Sequence, residues 1–245
     1  MTPTESFISH LIELRNRLLK VVVGLLVVFL GLFPFANKVY ALLAAPMLER
    51  LPEGTQMIAT AVVTPFFVPM KVAMMAAFVI SLPHTLYQLW MFVAPGLYSH
   101  EKKLMLPAIA VSSFLFLCGM AFAYFLVFPV VFTFILAAAP EGVAVMTDIA
   151  EYLNFVMTLF LAFGFAFEVP IAVVLAARFG WVNVAQLKDA RAYVIVGAFV
   201  ISAIFTPPDI ISQFMLAVPL WMLYEVGILF VQLTQPKENS ILPEA

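Results

Sequence analysis

An all-α, polytopic membrane fold is what this sequence predicts, and three observations lead there. Hydrophobic residues fill 64% of 245 positions while charged residues fill only 11%, far from the roughly 45–50% and roughly 25% of soluble domains. The apolar residues fall into six long runs. Between the runs lie short polar segments rich in proline and helix-capping residues.

A lipid core about 30 Å thick takes about 20 apolar residues to cross at 1.5 Å each, and backbone groups in lipid must bond within their own segment, so each run is a helix. The predicted spans are Val21 to Phe35, Val72 to Ala94, Leu104 to Phe128, Leu153 to Ala177, Ala192 to Phe205 and Ile210 to Leu233. They form one transmembrane domain over 1–245, with an interfacial helix over 1–20, spans within 21–233 and a short tail over 234–245. The first run has the length of a signal-peptide core, and Arg15, Arg17 and Lys20 precede it. The stretch before it carries its own helix signals, however, and five spans follow, so a retained first helix is expected.

Six spans put both termini on one side. With the N-terminus inside, the inner segments hold Arg15, Arg17, Lys20, Lys102, Lys103, Arg178, Lys188, Arg191 and Lys237, nine of the twelve basic residues. Lys38, Arg50 and Lys71 are left outside, and the outer loop from Pro129 to Tyr152 holds Glu141, Asp148 and Glu151 with no base. Basic residues favour the cytoplasmic side, so the expected topology is N-in, C-in. The 12 Lys+Arg against 14 Asp+Glu provide no basic field for nucleic acid. Cys118, the single cysteine, excludes an internal disulfide and a cysteine metal cluster and reads as a packing residue.

The N-terminal segment starts with Thr2-Pro3-Thr4-Glu5, a capping hydroxyl, a first-turn proline and a carboxylate three residues after the cap. Phe7, Leu11, Leu14 and Leu18 line one face while His10, Glu13 and Arg17 line the other, which predicts a helix on the membrane surface that turns into the first span. Glu13 and Arg17 form an i,i+4 pair. After Trp90-Met91-Phe92, the segment Pro95-Gly96-Leu97-Tyr98-Ser99-His100-Glu101 turns the chain. There Ser99 is a natural cap for the third span and Glu101 complements its dipole.

On the outer side, Asp148 followed by Glu151 resembles a capping box for the fourth span, and Asp209 after Thr206-Pro207-Pro208 can cap the sixth. These are ordinary structural roles. Glu168 is different, because it sits among Phe165, Phe167 and Val169 inside the fourth span, where a charge costs roughly 2.5–3.5 kcal/mol. It must face a partner or a cavity, or be protonated; its bland role is an interhelical hydrogen bond. Pro170 permits a bend beside it. The fifth span, with fourteen residues between Arg191 and Thr206, reaches only about 21 Å. Either its basic end residues snorkel or the bilayer thins around it.

Together, Ser9-His10-Leu11-Ile12-Glu13-Leu14-Arg15-Asn16-Arg17, Pro95-Gly96-Leu97-Tyr98 with Glu101, Thr147-Asp148-Ile149, Phe167-Glu168-Val169-Pro170 and Thr206-Pro207-Pro208-Asp209 resemble the TatC family of the twin-arginine protein translocase. The resemblance implies a cupped bundle with short fifth and sixth helices in the inner (cytoplasmic) membrane. It implies a non-enzymatic subunit without cofactor or metal, one that binds twin-arginine signal peptides of folded proteins at the cytoplasmic face. Recruited partners would be TatA- and TatB-like single-span proteins, with further copies of the chain in the complex and export driven by the proton gradient. Carried over residue by residue, Glu13 and Glu101 bind the signal peptide, with Leu14, Phe92, Arg17 and Pro95 beside them. Glu168, Thr206, Asp209 and Asp148 would serve partner contacts. Carboxylates suit an Arg pair because charge-assisted, bidentate bonds reach about 1.5–3 kcal/mol.

Two rival functions fit the sequence less well. Glu168 could couple protons to transport of a small solute, but paired broken spans in matching halves are missing. An intramembrane protease would need a His-Glu-x-x-His helix, which is absent, and Ser81 with His84 lacks a third group.

Overall fold

The computed structural model describes residues 3–48, 57–93, 105–137, 146–205 and 210–234. The described residues are helical apart from short turns and one isolated parallel bridge between Ile58 and Asp148. Five helical stretches are long and apolar enough to cross a membrane: Ile8–Ala45, Thr64–Phe92, Leu106–Phe134, Ile149–Arg178 and Gln213–Leu233; Arg191–Ile204 is a shorter sixth. All six expected spans are therefore present.

Contacts divide the chain into two compact units, Met1–Phe163 and Gly164–Ala245. In the first, α1 (Pro3–Leu32) runs through a 3-10 turn, Phe33–Phe35, into α2 (Ala36–Leu48). This differs from the expected surface helix that bends after Lys20: no residue between Pro3 and Leu32 breaks the hydrogen-bond ladder, so the amphipathic turns and the span are one 30-residue helix. The helix tightens into that 3-10 turn at Pro34, where a proline removes an amide donor.

The first unit continues with α3 (Thr64–Val93), which keeps Pro69 and Pro83 inside a continuous helix. Next come α4 (Met105–Phe122), a π-turn at Ala123–Val127, and α5 (Phe128–Ala137). Pro129 cannot donate to the carbonyl four residues back, and the wider turn just ahead of it absorbs that loss. Helix thus extends to Ala137, through the first part of the outer loop expected from Pro129.

Lipid tails are as apolar as leucine, so packing and side-chain hydrogen bonds hold such helices together. Here the glue is aromatic: the Phe128 ring lies 5.1 Å from Phe160, Phe132 lies 5.4 Å from Tyr152, and Phe122 lies 5.4 Å from Phe163. Two tyrosine hydroxyls reach α2, Tyr124 donating to the Leu42 carbonyl at 3.2 Å and Tyr152 to Leu43 at 3.0 Å. Pro46 has no N–H to offer Leu42, so Tyr124 takes that acceptor.

α6 (Ile149–Ala166) begins in the first unit, and its last residues belong to the second. Phe167 and Glu168 form a turn, and α7 (Val169–Arg178) resumes, so the fourth span is broken where Pro170 predicts a bend. α7 ends in a Schellman motif: Trp181 N–H donates to Ala176 O, Gly180 N–H donates to Ala177 O, and Gly180 has φ +72°. Asn183 then caps α8 (Val184–Asp189) in a reciprocal pair with Gln186, at 2.8 and 2.9 Å.

α9 (Arg191–Phe205) has 15 residues, about 22 Å of helix, as short as expected. α10 (Ile210–Thr234) has 25 residues and is not the short sixth helix that was expected. Pro219 lies inside it without ending it, so its whole apolar run is helical. Gly227 lets α10 approach α7 closely, since a Cβ there would lie 3.1 Å from the Pro170 backbone. Tyr224 donates to the Leu187 carbonyl at 2.8 Å and packs with Ala177, Ile228 and Val231 in the core of this unit.

Candidate peptide-recognition surface and polar clusters

Glu13 and Arg17 share one face of α1, one helical turn apart. Arg17 donates from Nε at 2.9 Å and from Nη2 at 2.5 Å, both to Oε1 of Glu13. The two groups are partly screened, with side-chain exposures of 17% for Arg17 and 33% for Glu13. Oε2 of Glu13 has no hydrogen-bond partner among the described residues. Leu14 is 43% exposed beside the pair.

One turn earlier, the His10 ring stacks on Phe92 at 4.3 Å with an interplanar angle of 23°. This stack joins the start of α1 to the end of α3 and brings Phe92 to the helix face that carries Glu13. Nothing in the sequence pointed to it beyond the place of His10 on the polar flank. Glu101 and Pro95 lie outside the described residues, as do Thr206 and Asp209.

Asp148 does more than the capping box predicts. Its Oδ1 accepts the amides of Ala150 at 2.7 Å and Glu151 at 3.2 Å, while Oδ2 accepts the Thr60 amide at 3.0 Å and hydroxyl at 2.7 Å. Backbone bonds Ile58 N to Thr147 O and Ile149 N to Ile58 O complete a clasp. The bonds from Thr60, followed by the cap amides, hold the carboxyl down at about 2. No local signal marks Thr60 as a partner, because 88 residues separate the two.

Glu168 occupies the residue before α7, half-buried, with its carbonyl accepting the Ala172 amide at 2.9 Å and no capping bond from its side chain. Its backbone sits at a helix break rather than mid-helix. Glu225 pairs with Arg191 at 2.7 Å, joining α10 to α9, and His84 contacts the Lys20 carbonyl at 3.2 Å. The described residues contain no His/Cys/Asp/Glu group able to hold a metal ion.

Five membrane-length helices with a shorter sixth, among the described residues, define a polytopic α-helical membrane protein. Comparison with known proteins identifies the kind. Residues 9–219 match the family model of the Sec-independent protein translocase protein, TatC. The chain is 52% identical over 227 residues to the Sec-independent protein translocase protein TatC of Escherichia coli (strain K12), covering 93% of this chain and 88% of that protein. It is 48% identical to that of Haemophilus influenzae over 237 residues, 97% of this chain and 93% of the relative. A crystal structure of a twin-arginine translocase receptor, TatC, superposes with a TM-score of 0.80 at 39% identity, covering 91% of this chain and 98% of that one. This chain belongs to the TatC family of protein translocase subunits.

Proposed function

We propose that this subunit is the signal receptor of a twin-arginine translocase. It captures twin-arginine signal peptides of folded cargo on the face of α1 that carries Glu13 and Arg17. The observation that carries the proposal is the state of Glu13: it already binds one guanidinium through Oε1, and its Oε2 has no partner among the described residues. A peptide arginine can add to, or replace, the internal one without a carboxylate being newly desolvated. Glu101, at the matching family position, supplies the second carboxylate. Leu14, Phe92 and Pro95 supply apolar contact, and the His10–Phe92 stack fixes where Phe92 stands. Lysine in the peptide would bind less well because it lacks the planar fork.

The bias of basic residues supports an N-in, C-in orientation in the inner membrane, which puts this face in the cytoplasm. TatA- and TatB-like single-span proteins and further copies of the chain are the proposed partners, with Glu168, Thr206, Asp209 and Asp148 serving their contacts. The proton gradient is the proposed drive. The solute-transporter alternative has no support among the relatives described above, which are protein translocase components.

The test is photo-cross-linking of a twin-arginine peptide to the full chain in membranes. Glu101→Gln and the Glu13→Gln/Glu101→Gln double variant should lose the cross-link while inserting normally. An undiminished cross-link in the double variant overturns the proposed site.

A further inference from the structure

A lateral groove of about 580 Å³ opens in the first unit, lined by Leu25 of α1, Lys71, Met74, Met75 and Phe78 of α3, and Asn154, Met157, Thr158 and Leu161 of α6. Its polar and apolar linings are separated by depth. Lys71 lies seven residues in from the start of α3 and Asn154 five residues in from the start of α6, about 10 Å and 8 Å of helix. Both side chains are exposed, and Lys71 has no carboxylate partner among the described residues. The Thr158 hydroxyl is taken by the Asn154 carbonyl at 2.7 Å. Further from the helix starts the lining turns apolar through Met74, Phe78, Met157 and Leu161.

An ammonium at a span's edge, above an apolar slot, matches an anionic phospholipid in charge and in layout. Lys71 can snorkel along its stem to headgroup depth, and a basic group between helices attracts an anionic headgroup. We infer that this groove holds one anionic phospholipid, its phosphate at Lys71 with Asn154 bonding the glycerol esters, and an acyl chain along the methionine and phenylalanine side chains. Three methionines in the lining suit a chain of variable shape, being flexible and polarisable. The inference does not depend on the signal-receptor function.

Native mass spectrometry of the full chain, released from mixed micelles of phosphatidylglycerol and phosphatidylcholine in equal amounts, tests it. One phosphatidylglycerol should be retained in preference. Lys71→Gln should cut that preference about fivefold, the factor that about 1 kcal/mol per basic side chain represents, and Lys71→Arg should keep it. Met157→Trp, which fills the slot and leaves the charge, should also release the lipid. Equal retention by wild type and Lys71→Gln overturns the inference. So does loss with Lys71→Gln but not with Met157→Trp, which would mean surface charge without a groove. Unchanged lipid binding with loss of a co-purifying single-span protein would overturn it too, in favour of a helix as occupant.

Discussion

Asp148 illustrates how one carboxylate can serve two segments at once, since each of its oxygens takes two donors. Its capping half is legible from Asp148 and Glu151 three residues apart; its tether to Thr60 is not, because hydrogen bonds across 88 residues leave no local pattern. With the folded value lowered from 3.8 to about 2, the stabilising contribution is present above about 4 and disappears as pH falls through about 2. Amide exchange at Thr60 and Ile149 should therefore stay slow from neutral pH down to about 4, and Asp148→Ala should make both exchange fast at neutral pH. Gly24 makes a second case. A Cβ there would lie 2.9 Å from Cδ2 of the exposed His84 ring, so Gly24→Ala should destabilise the first unit by no more than about 1 kcal/mol, because the ring can swing aside. Thermal unfolding in detergent should show most of that cost relieved in Gly24→Ala/His84→Ala.

Elements were more legible than their ends. Long apolar runs identify six spans, but periodicity contains nothing that separates the amphipathic turns of α1 from the span they continue, so the bend that the change of pattern after Lys20 suggests is absent. The extension of helix through Pro129 was hidden for a similar reason: a proline reads as a stop, and the π-turn that accommodates it depends on packing. The hairpin between the fourth and fifth spans rests on Gly180, whose φ of +72° favours residues without a Cβ. Gly180→Ala should cost about 1 kcal/mol or slightly more, read as a lower unfolding midpoint with signal-peptide cross-linking unchanged. The Arg191–Glu225 pair, with side chains 44% and 27% exposed, should contribute at most about 1 kcal/mol, so Glu225→Gln should barely move the same midpoint. α9 falls short of a core about 30 Å thick. Spin-labelled lipid beside Val196 should be less ordered than beside Leu117, and equal order would show that neighbouring protein covers its ends.

At the scale of the molecule, composition and apolar runs were enough for the fold class, and polar segments in order were enough for the family. The candidate recognition face was half legible: Glu13 and Arg17 follow from i,i+4 spacing, while the approach of His10 to Phe92 depends on how α1 meets α3, which no spacing encodes. In a Cys118→Ala background, cysteine at Thr60 should react with an impermeant reagent added outside intact cells and cysteine at Lys188 only after permeabilisation. Glu168→Gln should leave signal-peptide cross-linking intact while reducing export, the outcome expected of a half-buried acid that serves partner helices rather than recognition.

The clasp between Ile58 and Thr147–Ile149 has a bearing on biogenesis. Its two segments meet on one face only after both intervening spans have crossed, and closing so long a loop carries an entropic penalty that grows with the logarithm of its length. Latching of Thr60 onto Asp148 thus has to wait for the chain to finish threading its first three passes.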